Sequence, residues 1–251
     1  LVPALRHIKK RHPDCFTVTL MQPQCAFSAF DLVAIPAHDN PSTRANVTVT
    51  NGAPHALTAE KLTQAAKKWH LALQELPSPR IALLVGGNAG SARFTKEDFH
   101  EIGLQACQLA QGANGSLMVT TSRRTGQLAS DYLRLSLTVD NEFFNWSPDK
   151  KDNPYLGFLG HADAVIVTAD SMSMCAEACS LGKPVYIALP RYGNIAPKLR
   201  RFHHSLFEHN LAKPLTANER LNWQPDAPLD EAGKIADEIL KRCYAQKPAR
   251  S

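Results

Sequence analysis

Two kinds of apolar pattern alternate along most of this chain. Runs such as RIALLV, SLMVTT, DAVIVT and PVYIA are almost continuously apolar and five or six residues long, which predicts strands buried on both faces. Between them, apolar residues recur every three or four positions in TKEDFHEIGLQACQLAQG and QLASDYLRLSL, the period of a helix with one buried stripe. Thr95 stands where the first of these helices needs an N-cap, and Asp98 completes a capping box. EFFNW reads as a short strand, NPYLGFLGHA as a short helix and SMSMCAEACSLG as another. Strand and helix in alternation predict a parallel sheet covered on both sides, an α/β architecture.

The first part follows the same grammar less regularly. Leu5 to Arg11 has a helical pattern that His12-Pro13-Asp14 stops. CFTVTLMQP, FDLVAIPAHDN (ending at Pro36) and NVTVTNGAP predict three strands. Leu57 to Leu76 is a long amphipathic helix, with Thr58 as cap and Lys61, Lys67 and Lys68 toward solvent. LPSPR, Leu76 to Arg80, has a linker's composition. A last helix is predicted from about Leu229 to Tyr244, able to pack on either lobe. The reading is therefore two Rossmann-like lobes: residues 1–77 with too few strands for a complete doubly wound domain, 78–222 as a fuller lobe, and 223–251 as a terminal segment and helix. The chain opens in mid-helix without a Met, so sequence upstream of it is expected.

Composition narrows the classes. The 251 residues are 44% hydrophobic and 20% charged, with a net charge of +5, as in a globular protein of ordinary surface. Basic residues are dispersed, with small groups at Lys9–Arg11, Arg123–Arg124 and Lys198–Arg201. That suits a local anion site and not a nucleic-acid stripe. No apolar stretch has the length of a membrane span. A cytoplasmic location is expected, with peripheral contact to a membrane and the oligomeric state left open. The six cysteines form no C-x-x-C pair, and His203, His204 and His209 form no H-E-x-x-H. Reduced thiols and no metal site are the expectation.

The candidate chemistry lies in the loops after strands, where open parallel sheets bind ligands. VGGNAGSARF supplies Gly86, Gly87 and Asn88, with a following helix whose N–H groups suit phosphate. It fits neither G-x-G-x-x-G nor a P-loop. TTSRRTG supplies Ser122, Arg123, Arg124 and Thr125, a basic, hydroxyl-rich turn suited to a pyrophosphate or simply to solvent. TADSMSM places Asp170, Ser171 and Ser173 at a helix start. Glu177, one turn on, is a lone carboxylate among Met174, Cys175, Ala176 and Cys179, explained either by the helix dipole or by ligand hydroxyls. Arg201 lies on the next helix. His38 and Asp39 close the strand IPAHD as a candidate base and its orienting partner for a cleft between lobes.

In order and spacing, LVGGNAG…RFT, GSLMVTTSRRTG, NPYLGFLGHADAVIVTADSMSMCAEACSLGKPVYIALP and KLRRFH resemble the bacterial relatives of the plant mitochondrial-fission, "elongated mitochondria" family. FDLVAIPAHD and NVTVTNGAPHALT fit it too, so the resemblance covers nearly the whole chain. It implies a GT-B-like frame, in which the second lobe is similar to the donor lobe of the transferase that adds N-acetylglucosamine to the peptidoglycan lipid precursor. Carried over, the ribose-holding glutamate falls on Glu177, the helix-start turn on Asp170 to Ser173, and the Gly-Gly strand end on Gly86 and Gly87. Asp170 and Met174 depart from the serine and threonine of that motif. The implied activity is transfer of a sugar from a nucleotide-diphosphate-sugar to an unknown acceptor, with no cofactor required. The alternative implied is a non-catalytic scaffold acting through protein contacts, as in organelle fission. A sugar-nucleotide epimerase is the weaker third reading, since no nicotinamide fingerprint and no Tyr-x-x-x-Lys pair is present.

Overall fold

The structure, a computed structural model, describes residues 2–90, 92–150 and 152–246. In chain order the elements are α1 (Val2–Arg11), β1 (Val18–Leu20), β2 (Leu32–Pro36), β3 (Val47–Thr50), α2 (Ala59–Leu73), β4 (Arg80–Val85), β5 (Ala92–Arg93), α3 (Lys96–Gly112), β6 (Ser116–Thr121) and α4 (Gln127–Leu135). They continue through β7 (Asn141–Phe144), α5 (Tyr155–His161), β8 (Ala164–Thr168), α6 (Met172–Cys179), β9 (Val185–Ala188), β10 (Asn194–Ile195), α7 (Pro197–Glu208), β11 (Lys213–Pro214) and α8 (Glu231–Gln246). The predicted α/β class with parallel sheets is what is found. The elements the pattern missed, β5, β10 and β11, are two residues long, too short for periodicity to register.

The chain divides into two compact units, Ala56–Leu229 and the remainder. The smaller unit holds a parallel sheet of order β1-β2-β3, with Val18 opposite Leu32 and Val33 opposite Val47. Its small core is Phe30, Val33 and Ile35, against which Val2 and Leu5 of α1 rest. Lys9 fastens α1 to Asp31 at 2.9 Å, and the Thr17 N–H donates to the same carboxylate at 2.7 Å. Burial pushes the Asp31 carboxyl up, but these partners outweigh it and hold it below its ordinary value. α8 belongs to this unit, where Arg242 donates to the Ala45 carbonyl at 2.8 Å.

The larger unit is built on a six-stranded parallel sheet of order β11-β9-β8-β4-β6-β7. Every residue of β6, β8 and β9 is buried, as are all of β4 but Arg80, which accounts for the unbroken apolar runs. Helices α2 and α5 pack together, as do α3 and α4; Trp69 of α2 meets Phe158 edge-on at 6.1 Å. α2 therefore belongs with this unit, and the expected boundary at residues 77–78 falls inside it. The predicted linker is pinned: the Pro79 carbonyl accepts from Ser116 N–H at 3.0 Å and the Pro77 carbonyl from Ser116 Oγ at 2.6 Å. From β4 the chain turns to β6 and β7 on one side, then returns to β8 and β9 on the other. The strand order reverses between β4 and β8, where parallel sheets open a ligand crevice.

Candidate functional site

The carboxyl ends of β4, β6 and β8 bring three of the predicted loops together. Gly86 N–H donates to Thr168 Oγ1 at 2.7 Å and Gly87 N–H to Asp170 Oδ2 at 3.1 Å. These bonds lace the first loop to the third across the β4/β8 reversal. The glycines are required by that closeness. A Cβ on Gly86 would meet the Asp170 carboxylate at 2.1 Å, and one on Gly87 would meet the Arg124 carbonyl oxygen at 2.2 Å. Backbone approach is thus toward the protein's own loops. The helix after this loop starts well downstream of the glycines and is capped by its own residues. α3 begins only at Lys96, its Asp98 N–H is met by Thr95 Oγ1, and Asp98 Oδ2 accepts from Thr95 N–H at 2.8 Å. Asn88 folds back to accept from Phe94 N–H at 2.6 Å.

Asp170 is the hub. Its side chain is 0% exposed, and it accepts from Gly87, from Thr168 Oγ1 at 2.7 Å and from Arg124 Nη2 at 2.6 Å. A carboxylate this deep stands only with such partners. Arg124 is itself 38% exposed, so it bridges the buried acid to the surface. Ser122 and Thr125 shape the turn that holds it: Ser122 Oγ donates to the Gly86 carbonyl at 3.1 Å, Thr125 Oγ1 to the Val85 carbonyl at 3.1 Å and, at still closer range, to that of Gly86. Arg123, the second arginine, points its residue to solvent.

Ser171 caps α6, accepting from Met174 N–H at 3.4 Å, and Ser173 is exposed in the first turn. Glu177 is half-buried, and its Oε2 accepts from the Tyr155 hydroxyl at 2.5 Å. Burial and the neighbouring Glu177 push the Tyr155 phenol far up, so it stays a donor at any ordinary pH. On the helix's inner face Cys175 and Cys179 are buried, and burial raises both thiols, Cys179 to about 12. Tyr155 and Thr168 are the participants that sequence reasoning did not single out. Thr168 sits within the quoted TAD turn, but no spacing rule ties position 155 to position 177.

The remaining candidates are carried by other elements. Arg201 is exposed on α7. His38, buried, and Asp39, half-buried, form the 3₁₀ turn Ala37–Asp39 that closes β2 in the smaller unit. Among the described residues no group of three or more His, Cys, Asp or Glu side chains could hold a metal ion, and no helix is long and apolar enough to cross a membrane.

Comparison with known proteins gives these loops their context. The chain is similar to the Mitochondrial fission protein ELM1 of Arabidopsis thaliana, 27% identical over 257 residues, covering 93% of this chain and 59% of that protein. An uncharacterized protein of Rickettsia prowazekii (strain Madrid E) is also 27% identical, over 269 residues, covering 94% of this chain and 75% of the other. Among solved structures, a glycosyl transferase family 9 protein from Veillonella parvula superposes with a TM-score of 0.41 at 8% identity, covering 74% of this chain and 61% of the other. The UDP-GlcNAc 2-epimerase from Neisseria meningitidis bound to UDP-GlcNAc does so with a TM-score of 0.42 at 16% identity, covering 86% and 62%. Superpositions this loose carry no argument about the site. The pattern that defines the Mitochondrial fission ELM1 family matches residues 2–243, and the chain belongs to that family.

Proposed function

We propose that the larger unit is the donor side of a GT-B-like glycosyltransferase and binds a nucleotide-diphosphate-sugar at the carboxyl ends of β4, β6 and β8. The observation that carries this reading is Glu177: a half-buried carboxylate already holding a hydroxyl at 2.5 Å. A ribose diol offers the same kind of donor and would take the place of the Tyr155 hydroxyl. Arg123, Arg124 and the capped start of α6 would face the diphosphate, where positive charge and a helix N-terminus stabilise the leaving group. The chain spans 59% of the length of the Arabidopsis relative, so catalytic turnover is a proposal about the whole protein.

A second reading, a non-catalytic scaffold on the same frame, is favoured by Asp170. It consumes the Gly87 N–H and the Arg124 guanidinium that a phosphate would use, and so leaves the crevice stitched to itself. Calorimetric titration with UDP, GDP and ADP and their sugar conjugates separates the two. Saturable binding of one nucleotide, reduced tenfold or more in Glu177→Ala with the fold retained, supports the donor site. No binding by the folded protein, or equal loss of binding and of folding in Glu177→Ala, supports the scaffold.

A further inference from the structure

A cavity of about 290 Å³ opens beside α7, in the loop that follows β9. It shares no residue with the three laced loops. Leu189, Pro190, Ile195 and Phe207 give it an apolar lining, and His203 stands in its wall. His203 is 1% exposed, and neither ring nitrogen has a hydrogen-bond partner among the described residues. Buried polar atoms in native proteins are almost always paired, so an imidazole in a cavity wall with both nitrogens unmet is a group whose partner is missing; neither nitrogen is exposed as the ring stands, and a ligand in the cavity meets one by turning the ring toward it.

We propose that this cavity binds a small, uncharged, mostly apolar molecule carrying one hydroxyl, with His203 as its hydrogen-bond partner. A neutral imidazole presents one donor and one acceptor, and a hydroxyl is complementary to either. Burial lowers the His203 pKa to about 4, so near neutrality the ring carries no charge with which to hold an anion. The basic side chains nearby are engaged elsewhere. Arg200 donates to the Ile195 carbonyl at 3.2 Å and to Asn194 Oδ1 at 2.8 Å, and His204 Nδ1 faces Glu208 at 3.2 Å. The volume lies near the lower end for ligand pockets, which suits a single ring with its substituent.

The test compares p-cresol with toluene, which differ by one hydroxyl, by calorimetry and by NMR of the histidine ring nitrogens. Saturable p-cresol binding is expected, about tenfold tighter than toluene, the worth of one buried hydrogen bond, with the His203 ring resonances moving in step. His203→Phe should bring the two affinities together. Leu189→Trp alters an exposed lip residue whose replacement does not endanger the core, and it should block p-cresol. Absence of binding, equal affinities in the unaltered protein, or p-cresol binding that leaves the His203 resonances still or survives Leu189→Trp would each overturn the assignment.

Discussion

At the scale of single residues, the Tyr155–Glu177 bond separates the proposed donor site from a purely structural contact. If ribose competes with the phenol, Tyr155→Phe should tighten nucleotide binding a few-fold, because one hydrogen bond no longer has to be exchanged. A structural contact predicts lower stability and no change in affinity; calorimetry alongside urea unfolding reads both. His203 yields a second prediction. In the unfolded chain an imidazole gains its proton near 6.5, but in the folded protein only near 4. Between those values the unfolded chain binds more protons, so the contribution is whole above about 6.5 and is lost as pH falls. The loss amounts to about 3 kcal/mol by pH 4. Comparing urea midpoints of the protein and of His203→Phe from neutral to acid pH checks this, the variant losing less on acidification. Glu177 and the Ser171 cap were legible in the sequence because helix caps and lone carboxylates are local signals. The role of Asp170 was not. Read as a departure from a ligand motif, it is the hub of a network in which only Thr168 is a near neighbour, while Arg124 and Gly87 lie 46 and 83 residues away, and nothing local announces that.

At the scale of elements, the start of α3 shows what a local rule captures and what it omits. Thr95 and Asp98 form the capping box that the sequence predicts. Asp98 Oδ1 also accepts from the N–H groups of Arg191 and Tyr192, at 2.7 and 2.8 Å, which ties α3 to the loop after β9. Thr95→Ala should therefore cost about 1 kcal/mol, the worth of a cap. Asp98→Ala should cost more, on the order of 3 kcal/mol, because it also removes the charged acceptor of two part-buried loop N–H groups. Chemical denaturation of the two variants measures the difference, and equal losses would mean that the loop bonds contribute nothing. The inner strands β6, β8 and β9 were readable for a different reason: burial on both faces admits only apolar residues and small hydroxyls to the run. The membership of α2 was not, since an amphipathic helix declares that it packs but not on what.

For the whole molecule, the division into units sets an expectation for fragments. The larger unit has one continuous core, from Leu73 through the sheet to Leu229, so residues 56–229 alone should unfold cooperatively on heating. If the donor site is real, that fragment should also bind the nucleotide with the affinity of the full chain. A fragment that unfolds gradually would show that the smaller unit is needed to complete it. The smaller unit is interrupted in sequence, with α8 returning to it only after the entire larger unit. Its three strands leave the ribosome before the larger unit does, yet the helix that completes them is translated only after it, on the order of ten seconds or more later at ordinary elongation rates. A nascent chain must therefore carry that short sheet unfinished while the larger unit folds. Slowed translation across residues 56–229 should prolong the interval in which chaperones can be cross-linked to β1, β2 and β3.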